Sequence, residues 1–341
     1  MLKRKYTALP AGLLLLLVSC SPLIDYRQLL ERDMQPPAFL GIDVKSPKIV
    51  HILFSENLSA EPGDTFIVPE PPSYTAATDG SQVTLTFADN LAPGEPYKIK
   101  TTVKDSSGNT MTLIQTFYGF NPDIPKVVIN EFTTQGSSSN PDRVEIAVLS
   151  EGNTAGMVLY EGIDTDWSQR KVFPPLSVVS GDYIVVHFKS TGDHGEIDEL
   201  TSKTESGGIR AEDDAWDFWV DGGTGLSGNN GTISLFTAPY GSCIDGVLYS
   251  NRTSESDEKY RGFGSTHVMD EADRLQKLSG WESAGSLTAP EDGINPDDST
   301  ATRSMCRSSG SIDTNRKSDW HIVPTSTSSF GRENSDEVYA P

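Results

Sequence analysis

The sequence predicts an all-β protein built from two β-sandwiches in tandem, the second carrying a long acidic loop and a helical insertion. Three observations lead there. The 30 Gly and 21 Pro, with many Ser, Thr, Asn and Asp, punctuate short runs rich in Val, Ile, Tyr and Phe, which is the composition of strands separated by turns. Where a run alternates, as in Gln82 to Phe87, the residues Val83, Leu85 and Phe87 fall on one face and polar residues on the other, the period of a half-buried strand. Only the stretch Thr266 to Ser283 repeats its apolar residues clearly at helical spacing. At 341 residues and 36 % apolar, the chain is long enough to build more than one core.

The amino end is an address. Lys3-Arg4-Lys5 precede the apolar stretch Leu9 to Val18, the layout of a secretory signal and too short to span a bilayer permanently. Leu17-Val18-Ser19-Cys20 resembles the lipobox of bacterial lipoproteins, in which the thiol is joined to diacylglycerol and the segment before it is removed. The resemblance implies a signal peptide over residues 1–19 and lipidation of Cys20, with the bilayer as a partner. Two or three acyl chains there, at about 0.8 kcal/mol per buried methylene, would anchor stably. Residues 20–37 read as a polar tether stopped by Pro36-Pro37. Ser21 lacks the aspartate that retains lipoproteins at the inner membrane of enteric bacteria, so the outer membrane of the cell envelope is favoured over the inner.

The charge is −21, and removing residues 1 to 19 deletes three basic residues and no acid, leaving −24. A nucleic-acid binder needs clustered Lys and Arg to neutralise phosphates, and no basic stripe follows residue 5. Nucleic acid is not an expected partner.

Residues 38–122 form the first sandwich. Strands are expected at Phe39 to Val44, Ile49 to Phe54, Thr65 to Val68, Gln82 to Phe87, Tyr97 to Val103 and Thr110 to Phe117, with turns every ten or so residues. Val50 to Ser59, then Pro93, Tyr97, Asp105, Gly108 and Asn109, resemble bacterial Ig-like domains. Gly108-Asn109 suits a tight turn with positive φ, and Asp105 can accept a backbone N–H across it.

Residues 126–334 form the second sandwich, followed by a tail at 335–341. Its opening strands carry Ile129-Asn130-Glu131 and Glu145-Ile146; later landmarks are Lys171 to Phe188, Leu226 to Ser250 with Ile244-Asp245, Ser304 to Arg307, and Trp320 to Asn334. Together they resemble the lamin-tail domain, an Ig-like sandwich of nuclear lamins and of many secreted bacterial proteins. The chain departs from that pattern at Ala147, where the family has Tyr, and in two insertions at about 189–225 and 251–299. The resemblance puts Cys243 and Cys306 on neighbouring closing strands, and an exported compartment permits a disulfide. The bridge would close a loop of about sixty residues, for about 4 kcal/mol; two buried free thiols are the alternative.

The first insertion holds ten acids against Lys189, Lys203 and Arg210. Asp213, Asp214, Asp217 and Asp221, beside Gly222, could offer oxygen ligands to calcium. Their spacing matches no EF-hand, and the plainer reading is a solvated loop pinned by Trp216, Phe218 and Trp219. In the second insertion Val268, Ala272, Leu275, Leu278 and Trp281 recur at three and four residues, an amphipathic helix with Thr266 as its expected cap, docked on the sandwich.

No Gly-x-Ser-x-Gly elbow, His-Glu-x-x-His pair, phosphate loop or dinucleotide fingerprint occurs. His187, His194, His267 and His321 are scattered. The expectation is a non-enzymatic envelope protein that needs no cofactor, its second domain presented on an Ig-like spacer for a protein, glycan or envelope partner. The alternative is an accessory or cryptic metal-dependent hydrolase, because lamin-tail-like domains often accompany nucleases and phosphatases.

Overall fold

The computed structural model describes residues 33–59 and 61–341. Cys20, the signal segment and most of the tether therefore lie outside the described residues. Among the described residues the regular structure is mostly β-strand with one α-helix, and an Ig-like domain comes first.

The first domain runs β1 (Phe39–Ser46), β2 (Ile49–Phe54), β3 (Phe66–Val68), β4 (Tyr74–Asp79), β5 (Gln82–Phe87), β6 (Pro96–Lys104) and β7 (Thr110–Tyr118). A four-stranded sheet β1-β2-β5-β4 faces a three-stranded sheet β3-β6-β7. The alternation read from the sequence is what fills the gap: Val50, Ile52, Phe54, Val83, Leu85, Phe87, Tyr97, Ile99 and Phe117 are buried together. Strand β4 was not expected. Its inward face is Tyr74, Ala76 and Thr78, only partly buried, so it lacks a strong hydrophobic signature and is held by pairing with β5. At the turn after β6, Asp105 Oδ1 accepts from Asn109 N at 2.8 Å. Gly108 takes φ +91°, and Asn109 is absent from the positive-φ residues, so one residue supplies the turn.

The second domain contains β8 (Val127–Phe132), β9 (Arg143–Val148), β10 (Gly152–Asn153), β11 (Val158–Ile163), β12 (Asp166–Val172), β13 (Ser177–Val178), β14 (Tyr183–His187), β15 (Trp216–Trp219), β16 (Asn230–Phe236), β17 (Cys243–Ser250), the helix α1 (Thr266–Lys277), β18 (Met305–Arg307) and β19 (Trp320–Ile322). Its layers are a four-stranded sheet β12-β11-β16-β17 and a six-stranded sheet β15-β14-β9-β8-β18-β19, with β10 and β13 as a small separate pair. Ile129, Val144, Ile146, Ile184, Val186, Phe218, Ile233 and Leu235 fill the space between.

Both insertions differ from expectation. The first is not simply a loop: Trp216–Trp219 join β14 as a parallel edge strand, so Trp216 and Phe218 pack on the core side. In the second, the cap of α1 is Ser265, not Thr266; its hydroxyl accepts from Val268 N at 3.2 Å from an extended backbone. That leaves Thr266 as the first helical residue. Ala272 and Leu275 dock on the sandwich as the periodicity requires, and Gly246 lies under Leu275, where a Cβ would come within 2.4 Å of the leucine.

The two domains fall in one compact unit, Pro36–Pro341. Asn121 Nδ2 donates to Asn153 O (2.7 Å) and Ala155 O (3.0 Å). Gly94, at φ +69°, sits so close that a Cβ would meet Gly156 N at 2.6 Å. The rings of Phe39 and Tyr240 meet edge to face at 6.1 Å. The first domain thus packs directly against the second.

Candidate functional site

Side chains alternate faces along a strand, so burying Val144, Ile146 and Val148 of β9 in the core sends Arg143 and Glu145 to the outer face of the six-stranded sheet. Pairing carries that choice sideways. Asp217 lies opposite Val185, Val185 opposite Glu145, Glu145 opposite Glu131, Glu131 opposite Cys306, and Cys306 opposite His321. A second row sets Trp219, His187 and Arg143 side by side. The landmarks that were far apart in sequence meet here.

These rows are covered by residues 326–335. Ser329 donates its N–H to both oxygens of Glu131 at 3.0 Å and its hydroxyl to Oε2 at 2.7 Å. Gly331 N donates to Glu145 Oε2 at 2.6 Å, and Asn130 Nδ2 to Oε1 at 2.8 Å. Asn334 donates to the carbonyls of Asn130 and Arg307. Burial pushes the Glu131 and Glu145 carboxyls upward, Glu145 more strongly because Glu131 is the next charge. Both acids are occupied in holding the segment down.

Two pairs here have the residue types of catalytic sites, one wholly and one partly buried. His187 Nε2 lies 2.6 Å from Asp217 Oδ1, but both side chains are completely buried. Burial and then the Arg143 guanidinium hold His187 well below its ordinary value, and burial raises Asp217 to about 7. The imidazole stacks on Trp219 with 3.8 Å between ring centroids. Cys306 Sγ is 3.6 Å from His321 Nε2, yet that nitrogen is only 2.9 Å from the Ser335 carbonyl, so it carries the proton and is no base for the thiol. Burial, then Glu131 and Glu145, push the thiol up, away from a reactive thiolate.

Two expectations are corrected. Cys243 and Cys306 are not bridged: both are free, on β17 and β18, which belong to different sheets. Each sulfur faces its own partners, Cys243 the Asp245 carbonyl and Cys306 the Ser335 carbonyl. The four candidate calcium ligands do not converge; among the described residues no three of them bring ligand atoms within 4.8 Å of one another. The strand geometry puts Asp217 on the covered outer face of the sheet, where its Oδ2 accepts from Glu212 N at 2.7 Å, while Asp213, Asp214 and Asp221 stay exposed. Other acids of this insertion cap backbone. Glu199 accepts from Ser206 N and Asp217 N, both at 2.9 Å, and Asp198 from Trp219 N at 2.9 Å. Glu196 accepts from Thr191 N at 2.6 Å.

Sequence reasoning passed over two features. Arg307, fully buried, donates Nε–H to Ile129 O at 2.7 Å and pairs with Asp245 at 3.3 Å, Asp313 at 3.0 Å and Asp319 at 3.2 Å. Its landmark and the Ile244-Asp245 landmark are therefore partners joining the two sheets; neither was read as ionic. The other is a recess of about 310 Å³ beside the covering segment, lined by Arg143, Arg210, Glu212, Asp213, Asp214 and Arg332 together with hydroxyls of residues 302, 326 and 328. The only signal for it in the sequence was the excess of charge in the first insertion. His194 is exposed, and His267 lies at the far side on α1.

Comparison with known proteins places these features. A family model described as Bacterial Ig-like domain matches residues 35–122, and one described as protein second domain matches residues 125–322, more than half of the chain. The chain belongs to this second-domain family. A Treponema pallidum (strain Nichols) protein, named Uncharacterized protein, is 23 % identical over 190 residues, which are 53 % of this chain and 47 % of the relative. The chain spans about half the length of that curated relative.

Proposed function

We propose that this chain is a lipid-anchored protein of the bacterial envelope, held by an acylated Cys20, in which a lamin-tail-like domain at 126–334 binds rather than transforms its ligand. The Ig-like domain mounts that domain on the membrane tether. One observation carries the binding reading: the buried His187–Asp217 pair and the Cys306 thiol are closed off from solvent, whereas the charged recess above Arg143 is accessible. Catalysis needs a base or nucleophile within reach of a substrate. Recognition needs only a shaped, polar surface on a rigid scaffold. The basic stretch, apolar run and cysteine at the amino end support the anchor, and Ser21 favours the outer membrane.

Cys20→Ser tests the anchor. The wild-type protein is expected in the membrane fraction, carrying radiolabelled palmitate; the variant should lose the label and leave that fraction. Retention of the variant with the membrane rejects the anchor. A panel of nuclease, phosphatase and esterase substrates, with and without chelator, tests the absence of catalysis, and chelator-sensitive turnover would replace binding with hydrolysis.

A further inference from the structure

The recess beside residues 326–332 is built in a way that the covering segment alone does not require. Its floor is Arg143, 6 % exposed, whose guanidinium carbon lies 3.9 Å over the Phe330 ring. Nη1 donates to Arg210 O at 2.9 Å and to Glu212 Oε1 at 2.5 Å, but Nε meets no acceptor among the described residues. A buried guanidinium has five donors in a flat fork suited to carboxylates, and leaving part of that fork unpaired is costly. Two further arginines line the walls. Arg210 donates Nε–H to Ser139 O, and Arg332 donates to Ser328 O.

Backbone strain gathers at the same place. Arg210 at φ +68° and Ser326 at φ +65° take the left-handed conformation that side-chain-bearing residues avoid, and Gly331 joins them at φ +83°. All three line the recess. Non-glycine residues held in this conformation tend to cluster at ligand clamps.

The charges select the ligand. Glu212 is committed to Arg143, while Asp213 and Asp214 are exposed on the rim. A dianion such as phosphate would meet these carboxylates, in a chain that is −21 overall. A simple cation would meet three guanidinium groups. A molecule with one carboxylate and one ammonium satisfies both sets. The volume of about 310 Å³ lies at the small end for ligand sites and matches a compact polar molecule.

We infer that this recess binds a small zwitterion, a free amino acid or a di- or tripeptide, with its carboxylate on Arg143 and Arg332 and its ammonium group at Asp213 and Asp214. The inference rests on the binding reading given above. It is tested by isothermal titration calorimetry of the full mature chain with alanine, dialanine, N-acetyl-dialanine and dialanine amide. Saturable binding of alanine or dialanine is expected, and which of the two binds more tightly tells a free amino acid from a peptide as the source. Acetylation and amidation should each weaken dialanine about tenfold or more, the worth of one charge-assisted contact. Arg332→Gln should weaken dialanine as amidation does. The double change Asp213→Asn with Asp214→Asn should weaken dialanine but leave N-acetyl-dialanine unchanged. Both variants should keep the wild-type melting temperature, since neither side chain is buried. The inference is overturned if neither probe saturates at concentrations on the order of 10 mM, if blocking either end leaves affinity unchanged, or if inorganic phosphate competes as well as dialanine. Those outcomes leave the anchored binder standing, because that reading is judged by fractionation and by the hydrolase panel.

Discussion

Replacing Glu271 by glutamine should make the stability of the fold less dependent on pH. Glu271 lies on α1 with 3 % of its surface exposed, accepts from Thr232 Oγ1 at 3.1 Å, and has Oε1 3.0 Å from His267 Nε2. His267 Nδ1 is in turn 2.7 Å from Asp166. Burial raises the Glu271 carboxyl from 4.5 to about 7, against the pull of His267. The native chain therefore keeps a proton that the unfolded chain releases. The stability this group contributes is fully present below about pH 4.5 and is lost as pH rises through 7. Two and a half units at about 1.4 kcal/mol each give about 3 kcal/mol. His267 works in the same direction: burial alone would lower it, but the Asp166 bond and the Glu271 charge raise it, so its contribution also fades with rising pH. Glutamine preserves the contacts at both pH values: at pH 7.5 its oxygen accepts from Thr232 while its amide donates to neutral His267, and at pH 4.5 the flipped amide accepts from charged His267 Nε2 and donates to Thr232 Oγ1. Urea unfolding followed by tryptophan fluorescence at pH 4.5 and pH 7.5 is the assay. The stability gap, wild type minus Glu271→Gln, should fall by about 3 kcal/mol between the two. Parallel pH profiles would refute the account of this buried carboxyl.

Three other outcomes follow from the packing. Arg307→Met leaves Asp245 buried without its counter-charge and should cost about 3–5 kcal/mol in urea unfolding; a variant of wild-type stability would show that the cluster with Asp313 and Asp319 contributes nothing. Burial, with Asp245 nearby, raises the Cys243 thiol to about 12, and burial raises Cys306 as well, so both should label with maleimide only as the chain unfolds, and fast stoichiometric labelling of native protein contradicts this. Gly94→Ala would force a Cβ against Gly156 at a left-handed position, so limited proteolysis near residues 119–125 should accelerate, while an unchanged digestion rate means that the junction yields easily.

The fold was legible wherever burial is one-sided. Alternation in β5 and β6 marks the core face residue by residue, and the helical spacing of Val268, Ala272 and Leu275 marks α1. It was not legible where other elements supply the burial. Strand β4 is held by its neighbour. Strand β15 sits inside a run of acids, and its Trp-Asp-Phe-Trp pattern reads as a strand only once β14 is there to pair with it. The cap of α1 slipped by one residue because Ser265 and Thr266 are both capping types, and only the extended backbone at Ser265 decides between them.

The site was less legible than the fold because its chemistry depends on which partner each charge finds. Ten acids in one insertion suggest a cation when counted. Folded, Glu196, Asp198, Glu199 and Asp217 each spend an oxygen on a backbone N–H, so a segment with few apolar residues is ordered by its own carboxylates. Each bond satisfies a backbone donor that would otherwise be buried or left to water, which lets a polar insertion lie over a sheet without a hydrophobic core of its own. The same arrangement explains why the outer face of that sheet tolerates Glu131, Glu145 and Arg143 in burial. Each finds partners in a segment distant in sequence: Ser329 and Gly331 for the acids, Arg210 and Glu212 for the arginine. The recess lies where these two coverings, residues 210–214 and 326–332, meet. Neither segment alone contains it, and no spacing within either could have announced it.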